Sequence, residues 1–312
     1  MISSILRKLA SYLSFFFKNK PINIKKNKKI LKKIYSLTKG YNQPNSNLKK
    51  THQRFNLDII KLFKKRKIEN FLREGFIQKM FFVHNRIFIY YELKNLQNNP
   101  RWNFYEKLLI EDHIGNPVRY FLYPRSSGNR INHVFHLSVL IDEFGLDIKK
   151  IKSVFEFGGG YGCMARIFSK INLNIKYFCF DTSWVNLLQF YYLKHNDLNV
   201  GFSKRNNFFL SSDLKKTRNF SNNNTLFIAN WSISETPIRF RKKFEKIIKN
   251  SDYILISFQE NFENIDNLKY FKELQKKISY KFQIKISKNK FYRGNLLKRQ
   301  NHFYFLAKRI KK

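Results

Sequence analysis

The sequence contains few cysteines, prolines and glycines. Its 312 residues include two cysteines, six prolines and eleven glycines. Cys163 and Cys179 are too few to form a disulfide framework, so we expect a reducing compartment, the cytoplasm. No cluster of His, Cys, Asp and Glu has the spacing of metal ligands, which argues against a metal-dependent site. No apolar run approaches the roughly 18 residues that a membrane-spanning helix needs.

Acidic residues are also scarce. The chain has 21 of them against 61 Lys and Arg, which gives a formal net charge of +40. Fourteen basic residues precede Asp58, the first acid, and thirteen follow Glu273, the last acid. Such basic ends are typical of proteins that bind RNA or another anionic partner. The enrichment in Lys, Asn, Ile and Phe is equally typical of an AT-rich genome, so the charge alone does not decide between these explanations.

The N-terminus has the pattern of a basic amphipathic helix. Its apolar residues recur at helical spacing, at Ile2, Ile5, Leu6, Leu9, Leu13, Phe16 and Phe17. No small-residue cleavage pattern follows, so we do not interpret this segment as a signal peptide. Such a helix could pack on the protein's own core, or it could hold the protein at an anionic membrane surface, on the inner face of the membrane.

From residue 151 onward, short apolar segments alternate with helical patterns. The predicted strands include SVFEF (153–157), IKYFCFD (175–181), TLFIAN (225–230) and DYILISF (252–258). This alternation predicts an α/β fold, a Rossmann-like, doubly wound, mostly parallel sheet of seven strands with helices on both faces. We expect three parts: a basic, mainly helical appendage with a linker (1–56), a mixed region on the substrate side (57–150) and the sheet domain (151–312).

Two segments of the middle region have clear local patterns. Residues 80–93, MFFVHNRIFIYYEL, have the composition of a strand. Apolar residues after Arg130 recur on one helical face, and Gly145 is a plausible helix end.

Four of the eleven glycines lie between Gly158 and Gly162, directly after the first predicted strand. Glycines at such a place allow positive φ angles and let a ligand approach the backbone closely. A G-x-G-x-x-G dinucleotide pattern would need a third glycine where Cys163 stands, and no Gly-Lys-Ser/Thr of a phosphate-binding loop follows. The pattern that does fit is E-x-G-x-G-x-G, beginning at Glu156. It resembles motif I of the class I S-adenosylmethionine-dependent methyltransferases.

The resemblance implies that S-adenosylmethionine is the cofactor. It implies that Glu156 lies near the methionine end and that the turn contacts the cofactor through Gly158, Gly159, Gly160, Tyr161 and Gly162. Asp181, at the end of the second strand, can accept hydrogen bonds from both ribose hydroxyls. An alternative role for Asp181 is to cap the helix that follows. Asp213, after the third strand, is where this fold usually meets the adenine.

Three longer blocks resemble a narrower family. They are VFEFGGGYGCMARI, FDTSWVNLLQFYYL and FIANWSISETP, and they are similar to the sugar O-methyltransferases of bacterial polysaccharide clusters. The last block ends in S-x-x-E, formed here by Ser232 and Glu235. The resemblance covers roughly residues 110–305 and implies a sugar, nucleotide-sugar or polysaccharide acceptor. Trp231 departs from it, because a small residue is expected there.

Methylation of a sugar hydroxyl requires a general base. Glu235 and His133 are the candidates, although Glu235 could equally cap the next helix. Asn230, at the end of the fourth strand, is expected beside the cofactor. The candidate substrate contacts are Arg130, His136, Ser232 and Ser234.

Two other functions remain compatible with the sequence. An RNA methyltransferase would use the basic ends with their interspersed aromatic residues. A non-catalytic scaffold could have kept the fold and bind anionic surfaces, although an intact Glu156, glycine turn and Asp181 argue against lost cofactor binding.

Overall fold

The computed structural model describes residues 21–38, 50–64, 68–217, 224–292 and 301–310. An eight-stranded sheet lies at its centre, with the strand order β11-β12-β8-β7-β3-β4-β6-β5. Its strands are β3 Ser153–Phe157, β4 Lys176–Phe180, β5 Val200–Gly201, β6 Phe208–Ser211, β7 Thr225–Asn230, β8 Tyr253–Gln259, β11 Phe282–Lys288 and β12 His302–Arg309. Two small hairpins lie outside the sheet, β1 Arg119–Tyr120 with β2 Tyr123–Ser127, and β9 Asn261–Phe262 with β10 Ile265–Asp266.

Helices cover both faces of the sheet. They are α1 Ile24–Thr38, α2 Lys50–Lys64, α3 Gly75–Phe81, α4 Ile87–Gln97, α5 Trp102–Leu109, α6 Gly128–Phe144, α7 Cys163–Ile171, α8 Ser183–His195, α9 Ile238–Lys242, α10 Glu245–Asn250 and α11 Asn267–Ile278. None of the helices in the described ranges has the length and apolarity to cross a membrane.

The sheet is buried on both faces because its central strands are apolar throughout. Alternate residues enter different hydrophobic clusters: Val154 packs on the side of α6 to α8, and Phe155 on the side of α10 and α11. The predicted Rossmann-like, mostly parallel sheet with helices on both faces is confirmed, and the two-residue β5 extends it at one edge.

One strand of the sheet runs in the opposite direction. β12 lies between β8 and β11 and is antiparallel to both. The parallel strands end at one edge of the sheet, whereas β12 begins there, and its first residue, His302, pairs with Gln259, the last residue of β8. This reversal brings the start of β12 to the edge where ligands bind in such folds.

The predicted strand over residues 80–93 is wrong, because α3 and α4 occupy this region with a short extended link between them. The buried residues of α4 are Phe88, Ile89, Glu92, Leu93 and Leu96, which have the spacing of a helix. Their aromatic and β-branched composition suggested a strand, but packing against α6 decides the structure. The helix predicted from Arg130 is confirmed, and Gly145 ends it with a φ of +59°.

The described part of the N-terminal region packs on the sheet domain. Ile30, Leu31 and Ile34 of α1 belong to the same hydrophobic cluster as α6 and α8. The Asn27 side chain accepts a hydrogen bond from the Tyr191 hydroxyl at 3.0 Å. Among the described residues, Phe55 and Ile59 on either side of the predicted boundary at residue 56 belong to this same cluster. The three-part division stays a prediction. The amphipathic helix predicted over residues 1–20 lies outside the described residues.

A buried carboxyl group joins two helices above the sheet. Glu92 of α4 is fully buried, and both of its oxygens lie 3.0 Å from Asn132 Nδ2 on α6. Burial raises the pKa of Glu92 to about 8, although hydrogen bonds from Asn132 and Asn289 act in the opposite direction. The folded protein therefore holds a proton at neutral pH that the unfolded chain releases.

Replacing this carboxyl should change how stability depends on pH. Because the pKa of Glu92 is raised in the folded state, its contribution is complete at pH 4 and is lost as the pH rises toward 8, by up to about 1.4 kcal/mol per pH unit. We expect the free energy of unfolding, measured with urea at pH 5, 6, 7 and 8, to decline less with rising pH in Glu92→Gln than in the wild type. Glu273→Gln, an exposed carboxyl on α11, is the control and should keep the wild-type decline. If the free energy of unfolding declines equally with pH in all three proteins, Glu92 does not hold a proton at neutral pH.

Candidate functional site

The glycine turn leaves β3 in a left-handed backbone. Gly158, Gly160 and Gly162 have φ angles of +73°, +55° and +98°, and Gly162 is the N-cap of α7. A Cβ added to Gly158 would lie 2.3 Å from Ser232 Cβ, whereas at Gly160 the nearest atom, in Phe81, would be 3.5 Å away. The turn thus needs glycine at Gly158 for both φ and space, and at Gly160 for φ alone.

Glu156 lies directly beneath this turn. Its Oε2 accepts a hydrogen bond from the Tyr177 hydroxyl at 2.8 Å, and a Cβ on Gly159 would lie 2.7 Å from the same oxygen. Burial and the nearby charge of Asp181 raise the pKa of Glu156 to about 7, while the hydrogen bond from Tyr177 lowers it. Only 2% of Glu156 is exposed, and its predicted place near the methionine end of the cofactor stays a prediction.

Asp181 connects the end of β4 to the turn. Its Oδ1 accepts from the Thr182 backbone N–H at 2.8 Å, and its Oδ2 accepts from Gln189 Nε2 at 3.3 Å. Gln189 Nε2 also donates to the Gly160 carbonyl at 2.9 Å. Burial raises the pKa of Asp181 to about 7 against these hydrogen bonds. The alternative role as a helix cap is not found, since Thr182 is the N-cap of α8. The ribose role stays a prediction.

Two other predicted cofactor contacts have side chains engaged elsewhere. The Tyr161 side chain is buried among the helices, where its hydroxyl accepts from Asn129 Nδ2 at 3.1 Å, so only its backbone faces the turn. Asp213 follows β6 and accepts from the Lys215 backbone N–H at 2.8 Å, which caps a short 3₁₀ turn.

The end of β7 approaches the glycine turn from the side. Asn230 Oδ1 accepts from the Ser257 hydroxyl at 3.2 Å. Trp231 has a φ of +62°, a strained conformation for a bulky residue. Ser232 donates to the Phe157 carbonyl, and Ser234 donates to the Trp231 carbonyl at 2.6 Å.

These bonds change the predicted roles of the two serines. Ser234 is completely buried, so its predicted contact with a substrate is wrong. Ser232 lies against Gly158, and its hydroxyl holds the glycine turn through the bond to Phe157.

The two candidate bases differ in how readily they can accept a proton, because the pKa of Glu235 lies nearer to neutral pH than that of His133. Glu235 Oε1 accepts from Gln259 Nε2 at 3.3 Å, and burial raises the pKa of Glu235 to about 7. His133 Nδ1 lies 2.8 Å from the Asn129 carbonyl and must donate to it, which leaves Nε2 as an acceptor. Burial lowers the pKa of His133 to about 4, so this imidazole is neutral at pH 7.

Arg130 does not face the site, and its predicted contact with a substrate is wrong. It is completely buried, with its Nε 2.9 Å from Glu111 Oε1 and an Nη 2.7 Å from Asp112 Oδ2. Arg166 also binds Asp112. Burial alone would raise the pKa of Asp112, but these two guanidinium groups hold it well below its usual range. The network fastens the loop before β1 to α6 and α7.

His136 is also buried, with its Nδ1 2.7 Å from the Tyr304 hydroxyl. Tyr304, His302 and Gln259 were not identified from the sequence. They lie on the face of the sheet that α6 covers, because the side chains of β12 alternate in step with those of β8, and the reversal of β12 brings His302 to the carboxyl edge. A strand's direction leaves no mark on its residue pattern, so only the sheet pairing identifies them.

A cavity of about 530 Å³ lies away from this edge, between α1, α8 and β5, where Lys33, Phe190 and Phe202 contribute to its lining. None of the predicted site residues lines it. The predicted site residues therefore lie outside this cavity.

No family model matches the chain, and no curated protein matches it. Solved structures match part of it. The methyltransferase domain of bacterial CtHen1 is 11% identical with a TM-score of 0.39, and the match covers 55% of this chain and 95% of that one. Phosphoethanolamine N-methyltransferase 2 of Haemonchus contortus, in complex with phosphomonomethylethanolamine and S-adenosylhomocysteine, is 13% identical with a TM-score of 0.43 and coverages of 71% and 59%. The fibrillarin pre-rRNA processing protein of Methanococcus jannaschii is 11% identical with a TM-score of 0.36 and coverages of 54% and 70%. These likenesses are remote, and the chemistry of the site is inferred below from its own residues.

The contact between Gly158 and Ser232 leads to a test by double-mutant cycle. Gly158→Ala should destabilise the protein by more than about 2 kcal/mol, because it combines a left-handed φ, which costs about 1–2 kcal/mol, with a steric clash. Gly160→Ala should cost only the φ penalty. In a Ser232→Gly background the clash is removed, so the cost of Gly158→Ala should fall while that of Gly160→Ala stays the same. Urea unfolding measures all six proteins. Equal costs of Gly158→Ala in both backgrounds would show that the two residues are not in contact.

Proposed function

We propose that this chain is an S-adenosylmethionine-dependent methyltransferase that methylates a hydroxyl of a sugar or polysaccharide precursor. The observation that carries the proposal is the left-handed glycine turn at the carboxyl edge of a Rossmann-like sheet, with Glu156 beneath it and Asp181 beside it. Ligands of such sheets bind at this edge. We place the reaction in the cytoplasm, where the two buried free thiols would stay reduced.

The residues around the turn fit a nucleoside cofactor. Gln189 Oε1 is buried and has no hydrogen-bond partner within the described part of the chain, although its Nε2 bonds to both the turn and Asp181. Of two ribose hydroxyls placed there, one could donate to Gln189 Oε1 and the other to a remaining lone pair of Asp181. The positive φ angles of Gly158 and Gly160 form a turn without side chains, along which the body of the cofactor could pack.

S-adenosylmethionine, when bound, supplies a methyl group on a sulfonium with a good leaving group. The protein must then orient the acceptor and remove its proton. Glu235, with its pKa raised to about 7, can serve as the base. The resemblance to sugar O-methyltransferases and the S-x-x-E spacing of Ser232 and Glu235 support a sugar hydroxyl as the acceptor.

Cofactor binding is tested by calorimetric titration with S-adenosylhomocysteine. We expect binding to the wild type and a loss of about 1–3 kcal/mol in Asp181→Asn, which keeps the size of the side chain but removes its charge. Asp147→Asn, an exposed carboxylate ahead of β3, should bind normally. Absence of binding to the wild type would favour the non-catalytic scaffold, and full affinity of Asp181→Asn would remove Asp181 from the cofactor site.

The general base is tested by methyl transfer to sugar acceptors. Glu235→Gln should lower kcat by about 10²–10⁴-fold and leave the affinity for S-adenosylhomocysteine unchanged. Because a base acts when deprotonated, wild-type kcat should rise between pH 6 and 8, and this rise should vanish in the variant. If His133→Ala loses turnover and Glu235→Gln keeps it, His133 is the base instead.

An RNA methyltransferase is the second candidate, since α1 packs through one face and leaves the lysines of its other face exposed, at Lys25, Lys28, Lys29, Lys32 and Lys33. RNA binding that weakens steeply with salt, together with methylation of RNA but not of sugars, would favour this function. Binding of the protein to anionic vesicles tests the predicted role of the N-terminal segment at a membrane surface.

A further inference from the structure

A cluster of aromatic rings and histidines surrounds Trp231, beside the end of β7. The Trp231 ring centroid lies 5.3 Å from that of His302, 5.9 Å from Tyr292 and 6.2 Å from His136. These residues come from β12, the segment before it and α6, and they converge only because β12 is reversed.

Two buried polar atoms in this cluster lack a hydrogen-bond partner among the residues that the structure describes. They are His302 Nδ1 and Asn230 Nδ2. His302 is 8% exposed. An unpaired buried donor or acceptor costs about 1–3 kcal/mol, which a ligand's polar group could recover. His136, in contrast, is satisfied by Tyr304.

The backbone of Trp231 is also strained, with a φ of +62°. A bulky side chain in this conformation persists only when its surroundings impose it, and such strain often occurs at ligand sites. Trp231 is partly exposed and directly precedes Ser232, which lies against Gly158. Trp231 is therefore the chain neighbour of the serine that contacts the glycine turn.

We propose that Trp231, Tyr292, His302 and Asn230 form the acceptor pocket and bind an uncharged sugar ring. The apolar C–H face of the ring packs on Trp231, while its hydroxyls bond to His302 Nδ1 and Asn230 Nδ2. Tyrosine and tryptophan combine a large apolar face with little conformational entropy, which suits this role. Burial lowers the pKa of His302 to about 4, so its imidazole stays neutral at pH 7 and can accept or donate. This inference rests on the proposed function and identifies the residues that select its acceptor.

NMR of the indole N–H groups tests the pocket directly. The chain has three tryptophans, so Trp231 is assigned by the signal lost in Trp231→Phe. We expect at least one member of a panel of methyl glycosides, added with saturating S-adenosylhomocysteine, to shift the Trp231 signal in a saturable way. The signals of Trp102 and Trp184 should stay in place.

His302→Ala should raise the dissociation constant of that glycoside at least tenfold, while the affinity for S-adenosylhomocysteine changes less than twofold. His302→Gln keeps a polar group and should lose less, and Asn230→Ala provides an independent variant if His302→Ala does not fold. His113→Ala, which removes an imidazole from the loop before β1, is the matched control and should bind like the wild type.

The outcomes separate this inference from the proposed function. If no glycoside shifts Trp231 while S-adenosylhomocysteine binds, the pocket assignment is overturned and the methyltransferase proposal stands. A shift of Trp231 by short single-stranded RNA instead would also overturn it and favour an RNA acceptor. If glycosides bind at Trp231 but S-adenosylhomocysteine does not bind anywhere, the pocket stands and the enzymatic proposal fails.

Discussion

The close packing of Ser232 on Gly158 is the contact on which the site depends. A Cβ at Gly158 would lie 2.3 Å from Ser232 Cβ, so the end of β7 can approach the glycine turn only because that position has no side chain. The hydrogen bond from Ser232 to the Phe157 carbonyl fixes the approach. It places Asn230 and Trp231 beside the turn, and through Trp231 it connects the turn to the reversed strand β12. The contact of Ser232 with Gly158 therefore joins the glycine turn to the end of β7.

Several buried carboxyl groups have raised pKa values although the protein as a whole is strongly basic. The chain carries a net charge of +40, yet the pKa values of Glu92, Glu156, Asp181 and Glu235 are all raised to between about 7 and 8, mainly by burial. Their hydrogen-bond partners in the described residues are neutral amides, a hydroxyl and the Cys179 thiol. Asp112 is the contrast, because Arg130 and Arg166 keep it ionised. Perturbed pKa values cluster at functional sites, which fits Glu156, Asp181 and Glu235 near the glycine turn. Glu92 lies between two helices instead, and the Asp112 network serves packing.

The sequence predicts the sheet well because its signals are local. Apolar runs such as β3 and β7, and the glycines that follow β3, are readable from neighbouring residues alone. The failures have a common cause in tertiary packing. Residues 80–93 have the composition of a strand but the burial pattern of a helix. Arginine is usually exposed to solvent, and the partners that bury Arg130, Glu111 and Asp112, cannot be inferred from sequence spacing. His302 was not predicted as a site residue, because it reaches this edge only through the direction of β12, which depends on the neighbouring strands in the sheet.

The central claim is that a nucleoside cofactor binds between the glycine turn and the ends of β4 and β7. Backbone hydrogen exchange, measured with and without S-adenosylhomocysteine, tests it without assuming an acceptor. The account predicts slower exchange at residues 158–162, around Asp181 and at residues 230–232, with little change elsewhere. Protection confined to α1, α8 and β5, around the 530 Å³ cavity, or no protection at all, would contradict it.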